Sequence, residues 1–309
     1  MNKRLAFNIS LLSLAACSLG QPTAYLVSNY FGNNISRYDA AGNFLGNVGG
    51  HSFFGPQAIT RGPDGGLYVA DENNHSIVVV DPNMFTVSRV AVATGQGGLN
   101  GPTGLAFDSL GNMLVASFNT DSVKKYNPDG QYLGDLTIPG LGGMNGPDVG
   151  IAVGPDGALY VPSYYSNQIL RYNADSGAFL GAFANATSGL SQPRTILWRN
   201  GSMFVSSDNG NKVLRYDATT GQFLGNFVTP GAGGLWGAVG MTFDAAGDLL
   251  VTSGRNNKIL RYSGSDGTFL GNWAGPANLN GPTYITPVPE PSAFVATSLG
   301  LLWLVRRKR

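Results

Sequence analysis

The chain has 309 residues, of which 45 are glycine and 12% are charged, about twice the usual ~7% and half the usual ~25%; this describes a turn-rich β protein and excludes a helical bundle. Aromatic residues at 11% and hydrophobic residues at 43% supply a core, which excludes a disordered chain. The formal charge of +1 comes from the ends: without Lys3, Arg4, Arg306, Arg307, Lys308 and Arg309, the stretch from Gln21 to Pro287 holds 13 basic and 17 acidic residues, and no basic footprint for nucleic acid survives.

In chain order, residues 1–20 come first. Lys3 and Arg4 precede an apolar run from Leu5 to Cys17 and then small residues, the layout of a secretory leader too short to span a bilayer. Leu14-Ala15-Ala16-Cys17 resembles a bacterial lipobox, which would make Cys17 a lipidation site; a leader cut after Gly20 would discard it. As Cys17 is the single cysteine, the mature chain is expected to have no disulfide, thiolate metal site or cysteine nucleophile.

Residues 21–287 are repetitive. A strand marker recurs at Val27, Val69, Val115, Val161, Val205 and Val251, with spacings of 42, 46, 46, 44 and 46 residues. An aromatic residue after a basic one recurs in step at Tyr38, Tyr126, Tyr172, Tyr216 and Tyr262, with Asp81 closing the corresponding segment of the second repeat. Each unit carries four short strand signals; in the third they are Gly104–Phe107, Met113–Ser117, Val123–Tyr126 and Gln131–Leu136. Glycine-bearing turns such as Asp156-Gly157 and Asn200-Gly201 separate the strands. Four antiparallel strands per ~44 residues predict an all-β, six-bladed propeller. Tyr25 begins at a second strand and Gly281–Ile285 is an innermost strand with no blade after it, so pairing of the two ends is expected to complete one blade and close the ring.

The wording of the repeats, as in Gly154-Pro155-Asp156-Gly157-Ala158-Leu159-Tyr160-Val161 followed by Asn167-Gln168-Ile169-Leu170-Arg171-Tyr172, resembles NHL repeats and the wider six-bladed class that contains gluconolactonases. Residues 288–309 read Val288-Pro289-Glu290-Pro291, a mostly apolar stretch from Ser292 to Val305, then Arg306-Arg307-Lys308-Arg309. This tail resembles the PEP-CTERM sorting signal. The resemblance implies an exported protein of a Gram-negative bacterium, processed at Pro289, Glu290 and Pro291 by an exosortase-type enzyme, with a short membrane helix ahead of the basic residues Arg306 and Arg307. The apolar stretch would reach only ~21 Å as a helix, which suits a transient anchor.

Loops entering the first strand and loops between the second and third strands share one face of a propeller. Five residues before each third-strand aliphatic stand Tyr30, Glu72, Phe118, Tyr164, Asp208 and Gly254. Tyr30, Phe31, Phe118, Tyr164 and Tyr165 are the candidate ligand-binding residues, able to stack on the apolar face of a sugar; packing between blades is the competing role. His75 aligns with Asn33, Asp121, Asn167, Asn211 and Asn257, which makes it a left-handed hairpin residue and not a catalyst. His51 reads as a surface-loop residue without a carboxylate partner. Asp148 and Arg194 can point into the central channel. A lactonase of the resembling class needs a carboxylate-rich site for a divalent cation, yet Glu72 is the single glutamate of the mature region. No Gly-x-Ser-x-Gly, His-Glu-x-x-His or phosphate-binding lysine motif is present. The expectation is a non-catalytic surface or matrix module without cofactor, binding a polysaccharide or a surface protein, with a metal-dependent lactonase or other hydrolase as the alternative.

Overall fold

A computed structural model describes residues 22–289. The leader with Cys17, and Glu290, Pro291, Arg306 and Arg307 of the tail, lie outside the described residues, as does the apolar stretch 292–305. Among the described residues no helix is long and apolar enough to cross a membrane.

Twenty-four strands form six four-stranded antiparallel sheets. Blade 1 is assembled from both ends of the described chain: Pro282–Pro289 is its innermost strand, followed outward by Pro22–Asn29, Asn34–Tyr38 and Phe44–Asn47. The remaining blades follow in sequence at residues 56–92, 102–135, 152–184, 193–228 and 238–274. The closing strand therefore runs two residues past Pro287; Val288 is buried and pairs with Ala24.

Second strands such as Leu67–Asp71, Met113–Ser117 and Leu249–Ser253 are buried at every position, because each blade is covered on its two faces by the two blades that flank it. The core is accordingly interblade. Tyr68 and Val79 of blade 2 pack with Leu105, Val115 and Tyr126 of blade 3. Trp273 and Ile259 of blade 6 pack with Tyr25 and Val27 of blade 1, the Tyr25 and Trp273 rings lying edge to face at 5.2 Å. A Cβ on Gly177, at the turn into the outer strand of blade 4, would collide with the Leu136 carbonyl at the end of blade 3, so the turn requires glycine for closeness as well as for its φ of 72°.

The recurrent tyrosine has a defined task. In five blades its hydroxyl reaches the short 3-10 turn that leads into the same blade, bonding to Gln96, Leu141, Ala232 and Asn278 carbonyls and to the Ser188 hydroxyl at 2.7–3.2 Å. In blade 2 the matching position is Val80, opposite Leu67, and not Asp81. The loop entering that blade has no 3-10 turn for a hydroxyl to meet.

A second six-fold contact links the blades at their loops. Asn33, His75, Asp121, Asn167, Asn211 and Asn257 all have φ of 49–57°. The side chain of each accepts a hydrogen bond from a backbone N–H of the loop entering the next blade: Gly55, Gly101, Gly146, Gln192, Gly237 and Gly281, at 2.7–3.0 Å. His75 thus fills the left-handed hairpin position and accepts through Nδ1. Replacing Asn211 by alanine strands the Gly237 N–H and places a Cβ-bearing residue without a local acceptor in left-handed geometry. Urea unfolding is expected to show a loss of about 1–3 kcal/mol, whereas His75→Asn keeps the acceptor and stays within about 0.5 kcal/mol of the parent.

Candidate functional site

A proline opens the first strand in four blades, at Pro56, Pro102, Pro193 and Pro282, where it is tolerated because it begins the strand, and in blade 4 Pro147 stands at the equivalent place as an isolated bridge to Ser163. The residue after that position points into the central channel: Gln57, Thr103, Asp148, Arg194, Val239 and, in blade 1, Thr283. The loops between second and third strands contribute a wider ring of Tyr30, Glu72, Phe118, Tyr164, Asp208 and Gly254. Both rings line one cavity of about 330 Å³ at the loop face, rimmed further by Phe31, Tyr165, Arg255 and Gly281. This volume falls in the ~300–1,000 Å³ range of small-molecule sites.

All five candidate aromatics lie at this cavity and divide into two groups. Tyr30 and Phe31 of blade 1 meet edge to face at 5.1 Å. Phe118 of blade 3 joins Tyr164 and Tyr165 of blade 4, with ring centroids 5.0–6.1 Å apart. This second group bridges two blades and lines the mouth at once. Phe31 is 70% and Tyr165 57% exposed. The glycines of the entering loops give the rings room: a Cβ on Gly281 would strike Phe31, and one on Gly146 would strike Phe118 and Tyr165.

Most of the charged residues gather on blades 4, 5 and 6. Arg194 Nε lies 2.7 Å from Asp148 Oδ2, and its NH1 lies 3.4 Å from Asp208 Oδ2. Arg255 NH2 reaches the other oxygen of Asp208 at 3.0 Å. The Arg194 guanidinium also stands 5.3 Å from the centre of the Tyr164 ring. Burial pushes the Asp148 carboxyl up to about 7, against the opposing pull of Arg194 and the Val149 N–H, while Glu72 and Asp208 add repulsion. Across the cavity on blade 2, burial likewise raises the Glu72 carboxyl, opposed by a 2.5 Å hydrogen bond from Gln57 Nε2 and by the field of Arg194. Burial and the charge of Asp208 raise the Tyr164 hydroxyl.

In sequence Asp148 and Arg194 stand as separate channel-lining residues; the structure joins them in one buried pair, Nε to Oδ2. Sequence alone does not single out Gln57, Thr103, Val239 and Thr283, although the residue two places after the glycine or glutamine that enters each first strand marks them all. His51 needs a correction. Its Nε2 lies 2.8 Å from Asp71 Oδ2, and Asp71 also accepts from the Phe54 N–H and from Asn74. These contacts tie an entering loop to the neighbouring hairpin, outside the cavity. Among the described residues no group of three or more His, Cys, Asp or Glu is placed to hold a metal ion.

Residues 53–80 match the NHL repeat. A 120-residue stretch, 38% of the chain, is 28% identical to NHL-repeat-containing protein 4 of Mus musculus and covers 81% of it. A chain of a nidogen/laminin complex superposes with a TM-score of 0.69 at 15% identity, over 86% of this chain and 98% of that one. A catalytically inactive variant of virginiamycin B lyase from Staphylococcus aureus with quinupristin gives 0.61 at 18% identity, over 89% and 94%. A Bacteroides caccae protein of unknown function gives 0.68 at 13% identity, over 87% and 100%. At these identities the solved structures share the fold. The chain is a six-bladed β-propeller with an NHL repeat in its second blade.

The Asp148 shift carries a pH dependence. An unfolded aspartate ionises near ~3.9, whereas the folded one holds its proton up to about 7. The folded state therefore binds more protons between those values, and this site loses stability as pH rises through the window. Urea midpoints measured from pH 4 to 7.5 are expected to fall more steeply for the parent than for Asp148→Asn.

Proposed function

We propose that the propeller is a non-catalytic binding module whose cavity mouth seats a polysaccharide. The observation that carries this reading is the lining of the cavity: aromatic residues from blades 1, 3 and 4 share it with the hydrogen-bonding side chains of Gln57, Glu72, Asp148 and Arg194. A pyranose ring has apolar C–H faces and a hydroxylated edge, and the cavity offers aromatic rings such as Tyr164 and Phe118 for the first and the polar side chains of Asp148, Arg194, Gln57 and Glu72 for the second. The rings are held by their neighbours before a ligand arrives, so little side-chain entropy is lost on binding. The metal-dependent hydrolase finds less support, since Arg194 is inserted between the two acids nearest the channel.

The leader and the tail support export and exosortase-type processing at Pro289, Glu290 and Pro291, with transient membrane anchoring and delivery to the cell surface or matrix. A cut after Pro289 leaves the closing strand whole. Intact mass of the protein from its native host is expected to show a C-terminus near this motif, in the surface or matrix fraction. A full-length tail in the membrane fraction would contradict processing, and an acyl mass on Cys17 would show lipid attachment.

Binding to host exopolysaccharide is expected to weaken at least about tenfold, ~1.4 kcal/mol, in the Phe118→Ala, Tyr164→Ala double variant. Unchanged binding in a variant that keeps its urea midpoint would overturn the carbohydrate reading.

A further inference from the structure

The wall formed by blade 2 asks for a partner that the protein does not supply. Gln57 is buried, with 5% of its surface exposed, and its amide is oriented by the bond from Nε2 to Glu72 Oε2. That orientation leaves Oε1 buried at the cavity without a hydrogen-bond donor. A buried acceptor left in this state carries an unrepaid desolvation cost, which a ligand donor would relieve. Beside it stands the carboxylate of Glu72, for which the described residues supply one side-chain donor, the same Gln57.

The charges elsewhere in the cavity do not neutralise Glu72. Arg194 is engaged by Asp148 and Asp208, and Arg255 by Asp208. Among the described residues no guanidinium comes within ion-pair distance of Glu72, so the carboxyl of blade 2 is left without a cation of its own. Tyr30 on blade 1 and Phe118 on blade 3 flank that position on either side of the ring. An acid with aromatic rings on the blades to either side suits an ammonium group, which bonds to the acceptors and is attracted by ring quadrupoles. A neutral hydroxyl has one hydrogen to donate and cannot serve both acceptors; an ammonium has three. A divalent cation would find at most three protein oxygens here, the two of Glu72 and Oε1 of Gln57, fewer than the six or more that calcium takes.

We propose that Glu72 and Gln57 Oε1 form a subsite for a protonated amine, so that the polysaccharide read by this cavity carries free amino sugars. The assignment rests on the carbohydrate reading above. Desolvation of Glu72 strengthens its attraction for a cation and makes binding fall away in acid as the carboxyl takes up a proton.

The test uses the full chain and three probes that differ at one substituent: the methyl glycosides of glucosamine, N-acetylglucosamine and glucose, titrated at pH 6 with NMR detection. The amine glycoside is expected to bind at least tenfold tighter than the other two, and the ratio to fall to about one in Glu72→Gln. Gln57→Met, which removes the oriented acceptor, is a second variant and is expected to reduce the ratio as well. Equal binding of all three probes, abolished by Tyr164→Ala, would overturn the amine subsite and leave the carbohydrate reading standing. A preference that survives both blade 2 variants would also overturn the subsite. Absence of binding by all three probes would overturn both readings.

Discussion

The hydrogen bond from each blade's entering N–H to the left-handed residue of the preceding hairpin is the contact on which the rest of the molecule turns. It occurs six times around the ring at 2.7–3.0 Å. Individually such a bond contributes about 1 kcal/mol, but its geometric effect is larger. The acceptor lies three residues after the loop residue that lines the mouth, as Asn33 follows Tyr30 and Asn211 follows Asp208. The donor lies two residues before the channel residue, as Gly55 precedes Gln57 and Gln192 precedes Arg194. One repeated bond therefore fixes both rings of the cavity, and it does so with backbone and turn residues that take no part in binding.

This arrangement separates scaffold from chemistry. The valines of the second strands, the tyrosines of the third and the asparagines of the hairpins are occupied by interblade packing and hydrogen bonds. The twelve mouth positions do not repeat in this way, although some, such as Thr103 and Thr283, also bond to the next blade, and their identities diverge: aromatic on blades 1, 3 and 4, acidic on blade 2, an acid–base network across blades 4 and 5, valine and glycine on blade 6. A symmetric backbone thus carries an asymmetric surface. The asymmetry has an electrostatic side too, since both guanidiniums sit on the half of the cavity away from Glu72.

The fold was legible because each blade obeys the same packing rule, so valine, tyrosine and glycine recur with one period. The wider ring at the mouth could be counted for the same reason, from Tyr30 to Gly254. What stayed hidden were contacts between blades. Asp148 and Arg194 are 46 residues apart, and Asp208 a further 14; nothing in the local pattern says that their side chains converge. His51 and Asp71 are closer in sequence, yet their pairing depends on how a loop without a 3-10 turn folds over a hairpin. Val80 shows the converse case, in which the missing tyrosine and the missing turn explain one another only when seen together.

The closing pair of strands has a directional consequence. Asn29 and Pro282 are partners at the cavity end of blade 1, and Pro22 and Pro289 are partners at the other end of the same two strands. Eight residues at ~3.3 Å each set these ends about 25 Å apart. The described chain therefore enters and leaves the ring side by side, on the side away from the mouth. A tether joined to either end would hold the disc from behind, with the aromatic rim and its acidic wall turned outward, and fusions made at either end would leave the mouth unobstructed.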